Sequence, residues 1–172
     1  DEVARRLGLA FESGPGDAVI ARERGDGAQL ILAKPMTFMN RSGEAVGVVS
    51  RYFRIKVDDI LVVVDDVNLP LGRLRARQDG SDGGHNGLRS VMLSLATREF
   101  SRLRVGVGRG ETRLDLAGHV LSRFATGEIA MIDEMMMRAA DAAELFVESG
   151  MTAVMIRFNA TERSDKTTDS NG

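Results

Sequence analysis

The residues best suited to chemistry stand in the run Gly80-Ser81-Asp82-Gly83-Gly84-His85-Asn86-Gly87-Leu88. Its glycines permit positive-φ turns that other residues resist. His85 and Asn86 then stand at the mouth of an expected helix, where open N–H groups and the positive end of the helix dipole favour anions. Arg73, Arg75 and Arg77, alternating along an expected strand, come just before. A polar, glycine-hinged loop beside arginines points to a phosphate-bearing partner and leaves the reaction open. His85 suits either a catalytic or binding role or plain hydrogen bonding within a loop. Asn86 is equally suited to cap the helix, and Asn40 carries the same ambiguity.

Asp65-Asp66 ends the apolar run 60–64 abruptly. The carboxyl edge of strands in an open α/β sheet is where ligands bind. A carboxylate there could orient a histidine, hold Mg²⁺ or simply begin a turn. His119, next to Val120 and Leu121, reads as structural. No serine sits in a G-x-S-x-G elbow, so a hydrolase built from these residues must activate water directly.

Composition narrows the field. A chain of 172 residues suits one domain that buries roughly 70% of its unfolded surface. There is no cysteine, which removes disulfides, thiolate metal sites and a cysteine nucleophile. Two histidines are too few for a histidine-rich metal centre. Apolar runs fall short of a membrane span and no cleavable leader is recognisable, so a cytoplasmic protein without membrane contact is expected. Net charge is −2, yet residues 73–113 hold nine arginines, four acidic side chains and no lysine. Arginine's planar fork suits bidentate phosphate contact, although a solvated charged surface would read the same way.

The elements that must position these groups follow from periodicity. A helical pattern opens at once with residues 3–7. Runs 18–23 and 28–33 read as a hairpin around the turn 24–27. Lys34 to Asn40 reads as a loop, followed by a helix whose Ala45, Val48, Val49, Tyr52 and Phe53 share one face and which Asn40 or Ser42 could cap. Residues 60–64, rich in β-branched side chains, predict a strand covered on both sides. Residues 73–77 predict a strand with one basic face, 88–95 a helix, and 103–107 another strand. Residues 109–119 read as a mobile connection that could gate a crevice. A packing helix runs from 129 to 150 with Ile132, Met136, Ala139, Ala143 and Phe146 inward, its methionines read as core. A shorter helix covers 152–158, and 160–172 reads as a polar, disordered tail after a single domain of residues 1–159. The expected architecture is α/β, a mixed central β-sheet flanked by helices.

Four blocks together resemble bacterial peptidyl-tRNA hydrolase. They are Lys34-Pro35-Met36-Thr37-Phe38-Met39-Asn40-Arg41-Ser42-Gly43, Val64-Asp65-Asp66 with Leu69-Pro70, Gly83-Gly84-His85-Asn86-Gly87-Leu88, and Arg102-Leu103-Arg104-Val105-Gly106-Val107-Gly108. They occur in the family's order and extend over nearly all of residues 1–159. The resemblance implies hydrolysis of the ester joining a peptide to its tRNA, by a monomer without metal or organic cofactor. It assigns Asn40 to placing the substrate and Asp65 to orienting a catalytic histidine, fixing its tautomer and stabilising the imidazolium. His85 and Asn86 would line the same crevice, with Asn86 binding substrate or an ordered water. Arg77 and Arg104 match positions that hold the tRNA 5′ phosphate, with Arg75 and Arg102 as helpers. Such contacts position the tRNA without reading its sequence.

One departure stands out. The family's opening strand and its Thr-Arg-His-Asn stretch, which carries the general base, have no counterpart in these residues, and Asp1 aligns with the helix that follows them. His85 occupies a different family position and does not replace the base. The chain as written is therefore expected to be slow by about 10²–10⁴-fold. The missing strand belongs to the middle of the family's sheet, so its neighbours are expected to show unpaired edges. Two other readings remain: a non-catalytic RNA-binding relative on the same scaffold, and a metal-dependent α/β enzyme using the acidic pair.

Overall fold

Two short hydrophobic alternations and one unbroken apolar run set the sheets of this protein. The computed structural model describes residues 1–23, 30–108 and 126–159. They fold as a mixed α/β structure whose strands form two three-stranded sheets. Strands β1 (Glu12–Gly14), β2 (Ala18–Arg22) and β3 (Ile31–Pro35) make an antiparallel sheet. Strands β4 (Leu61–Asp66), β5 (Leu74–Arg77) and β6 (Ser101–Gly106) make the second, in the order β4-β6-β5, with β4 parallel and β5 antiparallel to β6. The helices are α1 (Glu2–Arg6), α2 (Ser42–Tyr52), α3 (Asn86–Leu95) and α4 (Ile129–Asn159). Helix α4 is broken at Gly150, whose φ of 76° and ψ of 176° lie outside helical space, so the expected division into a long and a short helix is present. None of the described helices is long and apolar enough to cross a membrane.

The chain divides into two compact units, Asp1–Ile60 with Asp79–Phe100, and Leu61–Gln78 with Ser101–Gly172. The first holds the β1-β2-β3 sheet and helices α1, α2 and α3. Ala18, Ala45 and Val49 form a small core there, with Phe53 packed against it. The hairpin register pairs Ala18 with Pro35 and Arg22 with Ile31, so Lys34 and Pro35 finish β3 instead of opening a loop. Proline is tolerated at such a strand end, where its missing N–H costs no ladder bond. The hairpin's turn lies outside the described residues.

In the second unit, Leu74, Ala76, Leu103 and Val105 from one sheet face pack against Met135, Ala139, Ala142, Met151, Val154 and Phe158 of α4. Two expectations are corrected here. Strand β4 is not covered on both faces: among the described residues it pairs with β6 alone, and Val63 on the α4 side is 51% exposed. An apolar run shows that a strand is hydrophobic, not which of its faces another element covers. The methionines of α4 are likewise mixed. Met135 is buried at 3% exposure, whereas Met131, Met136 and Met137 are exposed. The buried stripe therefore runs through Met135, Ala139 and Ala142, one position before the expected Met136.

The open edge of β5 is closed by a side chain. Ala76 N–H donates to Asn159 Oδ1 at 2.9 Å, and Asn159 Nδ2 donates back to the Ala76 carbonyl at 2.9 Å. The amide at the end of α4 thus imitates one residue of a neighbouring strand and fastens the helix to the sheet. Asn159→Leu, similar in size, removes both partners and is expected to cost about 1–3 kcal/mol. Urea unfolding should show a lower midpoint at unchanged slope; an unchanged midpoint would refute the role.

Candidate functional site

Small residues let α2 and α3 approach closely. A Cβ at Gly43 would fall on the Ser90 backbone, and one at Gly47 would fall on Ser94 Oγ. The Gly43 N–H donates to Ser90 Oγ at 2.9 Å. Gly43 and Gly47 are four residues apart on α2, as Ser90 and Ser94 are on α3, so each pair lies on one helix face. These four residues carry no hydrophobic periodicity, and only Gly43 stands in a block that residue type singles out. The glycine-serine spacing was the available clue.

That contact brings two of the expected site elements together. Asn40 sits in a 3₁₀ turn, Met39–Arg41, that runs directly into α2. Ser42 Oγ donates to the Met39 carbonyl at 2.9 Å and knits the turn to the helix. Neither Asn40 nor Ser42 caps α2, because the turn itself supplies the helix entry. On the other side, a Cβ at Gly87 would lie 2.6 Å from Met39 Sδ and 2.9 Å from His85 Cε1. Gly87 is therefore required for space. Gly80, Gly83 and Gly84 have positive φ, as the loop reading anticipated. Asn40, His85 and Asn86 consequently belong to one neighbourhood of the first unit, flanked by exposed Met36, Phe38 and Met39.

The loop ahead of α3 is organised by Asp82. Its Oδ1 accepts the Gly84 N–H at 2.7 Å, its carbonyl accepts the His85 N–H at 3.1 Å, and its Oδ2 faces Arg89 Nε at 3.4 Å. The Gly84 hydrogen bond, and secondarily Arg89, holds the Asp82 carboxyl below its ordinary pKa. His85, not Asn86, is the N-cap of α3: its Nδ1 accepts the Leu88 N–H at 3.2 Å. Asn86 is the first residue of the helix. A neutral imidazole that accepts at Nδ1 carries its proton on Nε2. His85 is thus engaged structurally through one nitrogen.

The remaining expected residues belong to the second unit. Arg75 and Arg77 alternate with buried Leu74 and Ala76, and register places Arg75 opposite Arg104 and Arg77 opposite Arg102. Arg77 is exposed, whereas Arg75 and Arg104 are half-buried. Arg102, expected as a helper at the phosphate, is the most enclosed of the four arginines. It is only 1% exposed, lying on the central strand β6 between β4 and β5. Asp65 lies near the carboxyl end of β4, as expected. Its neighbour Asp66, the other member of the acidic pair, is buried and receives Arg104 Nη1 on Oδ2 at 3.0 Å. Among the described residues no cluster of three or more His, Asp or Glu side chains could hold a metal ion. His119 and the expected gate at 109–119 lie outside the described residues.

The cap can be separated from other uses of His85. His85→Asn keeps a favoured N-cap acceptor and is expected to leave thermal stability within a few tenths of a kcal/mol. His85→Ala removes the acceptor and should cost about 1 kcal/mol. Equal stability of the two variants in thermal denaturation would show that the cap contributes nothing.

Comparison with known proteins gives these features a common setting. The model of the family described as Peptidyl-tRNA hydrolase matches residues 1–167. A peptidyl-tRNA hydrolase of Halalkalibacterium halodurans is 42% identical over 159 residues, spanning 92% of this chain and 86% of that protein. One from Mycobacterium tuberculosis is 40% identical over 161 residues, 93% of this chain and 84% of the relative. The crystal structure of peptidyl-tRNA hydrolase from Acinetobacter baumannii superposes with a TM-score of 0.83 at 30% identity, covering 92% of this chain and 81% of that one. A match over nearly the whole length, in sequence and in fold together, leaves one conclusion: the chain belongs to the peptidyl-tRNA hydrolase family.

Proposed function

We propose that this protein hydrolyses the ester bond of peptidyl-tRNA, releasing peptide and reusable tRNA. The observation that carries the reading is the α2–α3 contact, which sets the Asn40 turn against the start of α3 with His85 and Asn86. Two amides side by side can donate to carbonyl oxygens and accept from hydroxyls, which suits the ester end of a peptidyl-tRNA. Exposed Met36, Phe38 and Met39 offer an apolar surface for the peptide or the terminal base. Arg77 and Arg104, helped by Arg75, hold the 5′ phosphate of the tRNA and contribute a salt-sensitive share of affinity. Asp65 orients the imidazole of a general base, holding its tautomer and stabilising the imidazolium as water is deprotonated.

Residues 1–172 contain no Thr-Arg-His-Asn stretch, and the Nδ1 of His85 is given to α3. The chemistry assigned to these residues is substrate holding and orientation of a base. No cofactor is needed for ester hydrolysis by activated water. The protein acts as a monomer in the cytoplasm, where its substrate is produced.

The test uses an N-blocked aminoacyl-tRNA. The 172-residue chain should bind it saturably and cleave it about 10²–10⁴-fold more slowly than a family member carrying the histidine stretch. Asn40→Ala and Asn86→Ala should each weaken binding about tenfold. Arg77→Ala should reduce the slope of log K against log salt by about 1. Affinity no greater than for unrelated RNA, insensitive to all three substitutions, would contradict the proposal.

A further inference from the structure

Register separates the two adjacent carboxylates of β4. In the parallel pairing with β6, Val62 stands opposite Arg102, Val64 opposite Arg104 and Asp66 opposite Gly106. Across the antiparallel pair, Arg75 meets Arg104 and Arg77 meets Arg102. Paired residues project to the same face and successive residues alternate. Asp66 therefore stands on the arginine face, while Asp65 projects with Val105 to the face packed on α4. Like charges directly opposite each other repel across strands. Asp66 answers that repulsion where it meets Arg104, at 3.0 Å, with 12% of the arginine side chain and 6% of the carboxylate exposed.

Asp66 is itself firmly held. Its Oδ1 accepts the Asn68 N–H at 2.8 Å, and its carbonyl accepts N–H groups from Leu69 at 3.3 Å and Val107 at 3.2 Å. The carboxylate is thus tied to the turn after β4 and to the strand end of β6. Gly106 belongs to the same arrangement: it donates its N–H to the Arg73 carbonyl at 2.7 Å, and a Cβ there would lie 2.9 Å from that of Leu69. An anchored carboxylate cannot follow a wandering guanidinium; the guanidinium follows it. Fixing a long side chain before its ligand arrives removes an ordering cost from binding.

We propose that Asp66 is a positioning residue for phosphate recognition, presenting Arg104 to the 5′-terminal phosphate of tRNA in one fixed rotamer. The inference rests on the assignment of Arg104 to that phosphate given above. It divides the labour of the acidic pair: Asp65 serves the general base on one face, and Asp66 serves the RNA grip on the other. Asp66 brings a negative charge near an anion, and the benefit of holding Arg104 in place outweighs that repulsion.

Equilibrium binding of tRNA with a 5′ phosphate, compared with the same tRNA bearing a 5′ hydroxyl, reads this role without turnover. Wild type should prefer the phosphorylated form. D66N should reduce that preference about tenfold, the size of a lost hydrogen bond to a charged group, and leave affinity for the hydroxyl form unchanged. D66E, which keeps the charge, should restore part of the preference. Where D66N does not fold, D66S keeps an acceptor for the Asn68 N–H and should show the same loss. If R104Q abolishes the preference and D66N or D66S keeps it, the positioning role is wrong and the Arg104 assignment stands. If R104Q itself leaves the preference intact, the assignment fails and the inference with it. Tighter binding of the phosphorylated form by D66N would also overturn the proposal, showing that Asp66 only cancels charge.

Discussion

The close approach of α2 and α3 is the constraint on which the first unit's site depends. Gly43 and Gly47 present bare backbone to Ser90 and Ser94, and one hydrogen bond joins Gly43 to Ser90. Protein interiors are close-packed and transmit small displacements. A methyl group added at this contact would push the Asn40 turn away from the start of α3. The placing of Asn40 beside His85 and Asn86 thus depends on residues with almost no side chain. Gly87 repeats the device at the site itself, making room for Met39 and the His85 ring.

The second unit solves a different problem, that of keeping charge in place. Its sheet has an apolar face that α4 covers at β5 and β6, and an opposite face that collects arginines. Arg102 is buried at the central strand, Arg104 is held by Asp66, and Arg77 is exposed. The guanidinium groups are thus graded from buried to exposed across one sheet face. Asn159 completes the unit by closing the edge at Ala76. Architecture and charge placement are therefore products of the same strand alternation.

Much of this was legible in the sequence where periodicity speaks. The β2–β3 hairpin, the basic face of β5, helices α2 and α3 and the break at Gly150 all follow from alternation, helical spacing or glycine. Strand β1 was not legible, since Glu12–Gly14 has no apolar alternation and is recognisable only by its pairing with β2. The exposure of Val63 is hidden because an apolar run does not report which face α4 covers. Asn40, His85 and Asn86 stand out by residue type, but type alone does not decide which of the two adjacent polar residues, His85 or Asn86, caps α3; the structure gives the cap to His85. The sequence offers Asp66 only as one of an acidic pair, because its contact with Arg104 depends on which sheet face it occupies, and that is set by register with β6.

The most direct measurement is the affinity of Gly43→Ala for an N-blocked aminoacyl-tRNA, taken on protein whose thermal unfolding remains cooperative. Overpacking of this kind costs about 1–3 kcal/mol, which a folded variant relieves by moving the helices apart. Displacement of Asn40 from the start of α3 should then weaken binding at least about tenfold. Wild-type affinity in a folded Gly43→Ala variant would contradict the account, because the site would not depend on the contact that is held to build it.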